Sequence, residues 1–311
     1  MSRVVARDGF GGPDVLHVRR IAEPHVERGE IRIRVRAAGL NPLDWQIAAM
    51  PSLAAHFGLG VRAGFGSDLA GVVDEVGPGA EHAGFHVGDR VYGGIMGQAV
   101  ADVVVVPVPV AAPNLLRRVP DGVADATAAA LPTPGLTAVA AVDAVGPGAA
   151  DTILLGGAAG GVGVLAVQLA RLAGATVIGS ASEATFPFLR RLGALPVAYG
   201  PGLPDRVRRL ARRGVTAAID LHGIEAAEAG LELGVDPRRI ATVAAGAQLP
   251  GVRSTGAHAA ARDALQRIEA AILAGRMTVP IAERFPVERI RDAVAVQAAG
   301  HVHGKILITF P

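Results

Sequence analysis

The sequence predicts an α/β protein in which a doubly wound parallel sheet is inserted into a β-rich domain. The first observation behind this prediction is an alternation of apolar and polar residues near the start of the chain. The second is a regular exchange of strand and helix patterns through the middle of the chain. The third is a glycine-rich turn within residues 151–163, between an apolar strand and an apolar helix.

Composition narrows the class of protein. The 311 residues fit one large or two ordinary domains, and 50% of them are hydrophobic. No apolar run approaches membrane-spanning length, and the first residues lack the pattern of a signal peptide. The net charge is +2 without a basic stripe, and the chain contains no Cys. We therefore expect a cytoplasmic protein without disulfides or thiolate metal sites, whose partners are neither nucleic acid nor membrane.

The first 110 residues read as β-structure. Ile31, Ile33 and Val35 alternate with arginines, the period of a half-buried strand. Turns such as Gly77-Pro78-Gly79 separate this run from other candidate strands. The predicted strands are Val15–Arg19, Glu30–Ala37, Ala70–Val76, Arg90–Tyr92 and Asp102–Val106.

From about residue 120 to 246 the pattern predicts a parallel sheet with helices on both faces. The predicted strands are 152–156, 175–179, 196–198, 216–220 and 238–244, and the predicted helices are 124–144, 161–173, 183–192, 203–213 and 224–233. After this region the pattern again resembles that of the first 110 residues. It predicts helices near 259–275 and 287–299 and a last strand, Lys305 to Phe310.

The glycine turn has the context of a phosphate-binding loop. Gly157, Gly160 and Gly163 lie between the strand Ile153–Leu155 and a helical apolar pattern. Residues without a Cβ let the backbone approach a pyrophosphate, and the helix start favours negative charge. The spacing departs from the common GxGxxG fingerprint, so a tight turn without a ligand is the alternative.

Several segments in a fixed order carry a resemblance to a known family. They are Ala-Ala-Gly-Leu-Asn-Pro-Leu-Asp at 37–44, Gly-Ser-Asp-Leu-Ala-Gly-Val-Val at 66–73, Gly-Asp-Arg-Val-Tyr-Gly at 88–93, Thr-Pro-Gly-Leu-Thr-Ala at 133–138, the glycine loop, and Gly-His-Val-His-Gly-Lys-Ile at 300–306. With these the chain resembles the zinc-free, zeta-crystallin-like quinone oxidoreductases of the medium-chain dehydrogenase/reductase family. The resemblance implies a GroES-like catalytic domain from residues 1–120 and 262–311, with an NADP-binding Rossmann domain at 121–261.

The chain departs from this family at three places. An aromatic residue is missing at Ala101-Asp102-Val103, and a basic residue is missing after the second Rossmann strand. The segment between Gly246 and the helix near 259 is short. Because relatives use that segment to form a dimer, the implied homodimer stays open.

The resemblance also indicates whether the protein has a zinc site. Zinc-containing relatives hold their metal with a Cys and a Gly-His-Glu motif, and Gly66-Ser67-Asp68 stands in the place of that motif here. We therefore expect no zinc and no other metal site.

The resemblance places Asn41 and Asp44 in the catalytic cleft, as candidate catalytic residues. The Asn41 amide could donate a hydrogen bond to substrate or to the nicotinamide ribose, and Asp44 could fix a water molecule. The alternative is local, because Asn-Pro-Leu-Asp is also a good turn and helix start with Asp44 as its N-cap.

The expected cofactor is NADPH. The second Rossmann strand ends in Gly179-Ser180-Ala181-Ser182, whose small hydroxyls leave room for a 2′-phosphate, while Glu183 is expected to face solvent. Asp220 is expected to cap the turn into Gly223. The family resemblance and the glycine loop together imply these candidate cofactor-binding residues: Asn41, Thr137, Gly157, Ala159, Gly160, Gly161, Val162, Ser180, Ser182, Tyr199, His222, Val243, Ala244, Ala245 and Lys305. For Lys305 an exposed position at the start of a strand is the alternative.

These residues predict an NADPH-dependent reductase of a small-molecule quinone or enone, working by hydride transfer without zinc. Two alternatives stay open. One is an enoyl reductase that acts on carrier-bound acyl chains, and the other is a non-catalytic NADPH-binding protein.

Overall fold

A computed structural model describes residues 1–244, 249–300 and 302–310. The N-terminal part of the chain forms short helices among antiparallel strands. In chain order these elements are β1 (Ser2–Arg7), β2 (Leu16–Ile21), β3 (Glu30–Leu40), α1 (Pro42–Ala49), α2 (Pro51–His56), β4 (Asp68–Val76), β5 (Arg90–Gly94), β6 (Val103–Pro107), β7 (Leu115–Arg118) and α3 (Asp125–Ala129).

Strands and helices then alternate as the sequence predicts, and the chain ends with two further strands around a helix. The middle elements are α4 (Pro132–Val145), β8 (Thr152–Gly156), α5 (Gly163–Leu172), β9 (Thr176–Ala181), α6 (Phe186–Arg191), β10 (Leu195–Ala198), α7 (Leu203–Leu210), β11 (Ala217–Asp220), α8 (Glu225–Glu232), β12 (Ile240–Thr242), β13 (Arg253–Ser254) and α9 (Ala264–Leu273). The last are β14 (Ile281–Pro286), α10 (Ile290–Ala298) and β15 (Lys305–Thr309).

The chain divides into two compact units. The first unit contains Met1–Thr133, Ile281–Gly300 and Lys305–Pro311, and the second contains Pro134–Pro280 and His301–Gly304. The limits predicted from sequence, 120/121 and 261/262, come earlier in the chain than the limits of these units. Helix α3 packs on β3, β4 and β5 of the first unit, and α9 packs against Gly135 in the second.

The first unit contains a mostly antiparallel sheet in the order β14-β15-β3-β4-β5-β7, with β6 paired to β3. Strand β3 shows the predicted alternation, because Ile31, Ile33 and Val35 lie in the core. Arg32 is also buried, which a simple alternation does not predict. Its guanidinium makes ion pairs of 2.8 Å with Asp74 and 2.7 Å with Glu75.

The second unit contains a parallel sheet in the order β10-β9-β8-β11-β12-β13 over the described residues. This is the strand order of the doubly wound, dinucleotide-binding sheet. The α/β fold class predicted from the sequence is confirmed by this sheet together with the β-rich first unit. Over the residues described, no helix has the length and hydropathy needed to cross a membrane.

Some predicted elements were wrong in detail. The single helix predicted over 124–144 is two helices, because Pro132 has no N–H to continue α3 and instead begins α4. Strands β1, β7, β13 and β14 were not predicted, nor were helices α1 and α2 as a pair. The strand predicted at 238–244 is shorter, and its neighbours 245–248 lie outside the described residues.

Candidate functional site

A cluster of buried polar side chains lies in the first unit at the ends of three neighbouring strands. Its members, here called the polar cluster, are Asn41, Asp44, Ser67, Asp68 and Lys305, each at most 4% exposed. Strand pairing brings them together, because β15 and β4 flank β3. The register sets Asp68 opposite Gly39 and Ile306 opposite Leu40. The first residues of β4 and β15 therefore lie beside the last residues of β3.

Asn41 is at the centre of the polar cluster. Its Nδ2 donates to Asp68 Oδ2 at 2.8 Å, and its Oδ1 accepts from Lys305 Nζ at 2.7 Å. Lys305 Nζ also donates to the Leu40 carbonyl at 2.8 Å and lies 4.0 Å from Asp68 Oδ2. The exposed position considered for Lys305 is therefore wrong: a buried ammonium needs these acceptors and the nearby carboxylate.

Asp68 accepts hydrogen bonds from three donors. Besides the Asn41 amide, the backbone N–H of Thr133 and its hydroxyl donate to Oδ1 at 3.0 and 2.7 Å. Burial raises the pKa of Asp68, while Lys305 and these donors oppose the rise. Burial also lowers the pKa of Lys305, against the attraction of Asp68 and Asp44. Convergent donors are the pattern that an ionised carboxylate requires.

Asp44 lies at the third residue of α1 and accepts the backbone N–H of Asn41 at 2.8 Å. The interpretation of Asp44 as the N-cap of this helix is wrong, since Asn41 occupies that position. Ser67 Oγ donates to the other oxygen of Asp44 at 2.7 Å. Burial raises the pKa of Asp44 to about 7, a rise that the Ser67 hydroxyl opposes. Near neutral pH this carboxyl can therefore hold or release a proton.

In the second unit the three loop glycines have distinct geometric roles. Gly157 adopts a left-handed backbone (φ +70°), which glycine tolerates best. A Cβ on Gly163 would collide with the Gly157 carbonyl, so the start of α5 packs directly on the turn. A Cβ on Gly160 would meet only Gly157 O, at an ordinary 3.5 Å.

These roles match those of a dinucleotide-binding loop. One glycine makes the turn, one presents open backbone and one allows close packing of the helix. The loop also lies at the carboxyl ends of parallel strands, where open sheets bind ligands. The residues present therefore fit a dinucleotide, and Gly157, Gly160 and the start of α5 would hold its pyrophosphate.

Neighbouring turns of the second unit meet this loop. Ala158 N–H donates to the Ser180 carbonyl at 3.2 Å, and a Cβ on Gly157 would lie 3.1 Å from His222 Cβ. Val243 N–H donates to the Asp220 carbonyl at 3.0 Å. The expected cap by Asp220 is confirmed: its carboxylate accepts the N–H groups of His222 and Gly223, at 3.0 and 2.9 Å.

The other predicted cofactor residues have varied surroundings. Ser180 and Thr137 are buried, Ser182 is half-buried after β9, and Glu183 is exposed as expected. Tyr199 is 53% exposed after β10. The remaining predicted residues of the second unit are Ala159, Gly161 and Val162 in the loop and Ala244 after β12. Ala245 lies outside the described residues.

Sequence reasoning missed three residues of the first unit. Asp68, Ser67 and Thr133 contact the predicted Asn41 and Asp44 or each other, yet none was predicted as a site residue. The signal was present, because Ser67 and Asp68 stand where relatives place metal-binding residues. It was used only to argue against zinc.

Comparisons with known proteins agree with this architecture. The family description "Alcohol dehydrogenase GroES-like domain" matches residues 27–109, and "Zinc-binding dehydrogenase" matches residues 124–308. The chain therefore belongs to the medium-chain dehydrogenase/reductase family of oxidoreductases.

Individual relatives fall into two groups. The quinone oxidoreductase structure from Coxiella burnetii is 26% identical with a TM-score of 0.85, covering 100% of this chain and 99% of that one. A chloroplast envelope quinone oxidoreductase homolog from Arabidopsis thaliana is 35% identical over 60% of this chain and 56% of its own length. The pikromycin polyketide synthase component PikAII from Streptomyces venezuelae is 32% identical over 91% of this chain and 8% of its own length. The chain spans less than a tenth of each of the polyketide synthases it matches first.

The residues present do not fit the zinc that one family description names. The chain has no Cys, and no group of three or more metal-binding side chains occurs among the residues described. In the polar cluster the carboxylates already accept donors, and the Lys305 ammonium lies 4.0 Å from Asp68. A second cation there would be repelled by this ammonium.

Proposed function

We propose that this protein is an NADPH-dependent reductase of quinones or other α,β-unsaturated carbonyl compounds that works without zinc. The polar cluster is the observation that carries the proposal. It combines an amide, two carboxyls and an ammonium. By the family resemblance, its Ser67 and Asp68 stand in the place of the Gly-His-Glu motif of zinc-containing relatives. These groups can donate hydrogen bonds and hold protons, but they do not form a Lewis-acid site.

Such a site suits acceptors that are already electron-poor. NADPH, when bound, would supply a hydride to a carbon of the acceptor, and negative charge would develop on the conjugated oxygen. Hydrogen-bond donors such as the Asn41 amide stabilise that charge, and a proton then completes the product. Asp44 can hold a proton near neutral pH, since burial raises its pKa to about 7. Oxidation of an unactivated alcohol would lack the polarising metal that it needs.

The preference for NADPH over NADH is part of the proposal. NAD sites place an acidic residue at the end of the second strand, where it binds the ribose 2′-hydroxyl. Here β9 ends at Ala181, and the next residue is Ser182, half-buried and uncharged. Glu183, the first acidic residue after this strand, is exposed. A mycobacterial structure with NADPH bound has a similar fold (TM-score 0.85, 24% identity).

A second candidate is reduction of an enoyl chain attached to a carrier. The match to PikAII over 91% of this chain favours it. A trans-enoyl reductase from Pyrenochaetopsis is also 31% identical over 70% of this chain and 61% of its own length. Both candidates reduce the same kind of conjugated double bond. They differ only in whether the acceptor is a free small molecule or an acyl chain attached to a carrier.

Parallel turnover assays separate the candidates. Oxidation of NADPH and of NADH is followed with phenanthrenequinone, a simple enone and a crotonyl thioester as acceptors. The proposal expects turnover with the quinone or enone and a preference for NADPH. Turnover with the thioester alone would favour the carrier-bound candidate. NADPH binding without turnover on any acceptor would indicate a non-catalytic binding protein.

A further inference from the structure

The Asn41 amide is held at both ends by charged side chains. Its nitrogen donates to the Asp68 carboxylate at 2.8 Å, and its oxygen accepts from the Lys305 ammonium at 2.7 Å. A half-turn of the amide would set its NH2 group against the ammonium and its oxygen against the carboxylate. The two charges therefore favour one orientation over the other.

Asp68 and Lys305 are themselves fixed. Asp68 is fully buried and also receives both donors of Thr133, and Lys305 is tied to the Leu40 carbonyl. These contacts join β3, β4 and β15, so neither charged group can follow the amide if it turns. Buried groups held by several partners of opposite polarity are costly to displace.

One amide hydrogen of Asn41 remains weakly engaged. Its other contact in the first unit is the Gly39 carbonyl at 3.4 Å, longer than a good N–H···O bond. In the held orientation this second N–H can therefore leave the Gly39 carbonyl and donate to another acceptor. In the turned orientation the same position would present the amide oxygen, which cannot stabilise negative charge.

We propose that Asp68 and Lys305 are positioning residues, which hold the Asn41 nitrogen toward Asp68 and so keep its second N–H as the donor for the reduction. The orientation does not depend on any activity. Only the use of that donor rests on the proposed function.

The test removes both anchors without leaving an unpaired charge. In the double variant Asp68→Leu/Lys305→Met, two apolar side chains replace the charged pair, a change that buried ion pairs often tolerate. Loss of one partner alone would leave a buried charge without compensation. Asp102→Asn is the matched control, because Asp102 is a carboxylate of the same unit that pairs with Arg3 outside the polar cluster.

The first readout needs neither cofactor nor substrate. The chain contains only two asparagines, Asn41 and Asn114, so selective ¹⁵N-asparagine labelling gives two side-chain amides for NMR. Asn114 accepts the Met96 N–H at 2.9 Å and serves as an internal reference. In the parent we expect one Asn41 proton shifted downfield by its carboxylate and slow exchange with solvent. In the double variant that shift should disappear and exchange should accelerate, while Asn114 stays unchanged.

The second readout is kinetic, with the acceptor that the parent protein turns over. Loss of a charge-assisted hydrogen bond should lower kcat about tenfold to a hundredfold, with a smaller change in the KM for NADPH. Asp102→Asn should behave like the parent.

Two results would overturn the proposal. One is a set of Asn41 amide signals in the double variant that matches the parent. The other is a kcat in the double variant within about twofold of the parent. A parent protein without turnover would instead refute the proposed function, and the NMR comparison would then decide the orientation by itself.

Discussion

At the scale of single residues, the protein concentrates its unusual chemistry in a few buried groups. Asp44 is the clearest case, because a carboxyl group at the start of a helix would ordinarily be exposed and ionised. Here it is 4% exposed, and burial raises its pKa to about 7 from an ordinary 3.8. The pH dependence of stability follows from this difference between the folded and unfolded states.

The first prediction concerns that dependence. Below about pH 4 Asp44 is protonated in both states, so its stabilising contribution is fully present. As the pH rises toward 7 the unfolded chain releases the proton first, and the free energy of unfolding falls by up to about 1.4 kcal/mol per pH unit. Denaturant unfolding of the parent and of Asp44→Asn, compared across this range, should show that the variant lacks this decline.

Asp102→Asn is a control, because Asp102 contributes a pH dependence of stability opposite in sign to that of Asp44. Although burial opposes it, the hydrogen bond from Arg3 lowers the pKa of Asp102 below its ordinary value. Asp102 therefore stabilises the fold above its ordinary pKa, and that stability is lost as the pH falls through the lowered value. If the curves of the parent and Asp44→Asn ran parallel from pH 4 to 7, the raised pKa of Asp44 would be refuted.

The second prediction concerns Ser182 and the choice of cofactor. An aspartate at this half-buried position would repel a 2′-phosphate and accept a ribose hydroxyl. The backbone carbonyl of Ser182 accepts hydrogen bonds from Thr185, and the Ser182 side chain makes no capping hydrogen bond. The Ser182→Asp variant should therefore fold normally. Titration of NADPH and NADH should show NADPH binding weakened about tenfold to a hundredfold and the preference reversed. Glu183→Gln, beside it and exposed, should leave the preference unchanged, and an unaltered preference in Ser182→Asp would place the 2′-phosphate elsewhere.

At the scale of elements, the glycine loop shows how far sequence reasoning reaches. The strand, turn and helix were predictable because Gly157, Gly160 and Gly163 lie between two apolar patterns. Which glycine is needed for which contact was not predictable from spacing. That division depends on where the Gly157 carbonyl points, a detail set by the folded turn.

The third prediction uses the same substitution at two loop positions. Gly163→Ala should lower thermal stability, since its Cβ would collide with the Gly157 carbonyl. Gly160→Ala meets only an ordinary contact, so its melting temperature should stay close to the parent's. Its affinity for NADPH should nevertheless fall about tenfold or more, because the Cβ enters the space of the pyrophosphate. Normal NADPH binding by Gly160→Ala would mean that the loop is only a turn.

Other elements were predictable to different degrees. The alternation in β3 fixes its buried face, and apolar runs mark β8 and α5. The break between α3 and α4 could have been read from Pro132, whose ring cannot continue a helix. Strand β14 could not, because it is largely exposed along its length and depends on pairing with residues distant in sequence.

The chain as a whole divides into two compact units. The first holds the polar cluster, and the second holds a parallel sheet with a loop that fits a dinucleotide. Asn41 and Asp44 could be predicted because the segment 37–44 resembles the family's cleft residues. The sequence did not predict Asp68 as their partner, since that contact depends on the pairing of β3 with β4. Long-range register is the information that a single sequence supplies least directly.

Hydride transfer from NADPH to a conjugated acceptor without zinc can be followed with an isotope. NADPH deuterated at the transferable position of the nicotinamide ring is supplied with a simple enone to protein dialysed against a strong chelator. We expect deuterium on the β-carbon of the saturated ketone, at a rate unchanged by the chelator and not raised by added zinc. Absence of deuterium from that carbon, or turnover that disappears with the chelator and returns with zinc, would contradict it.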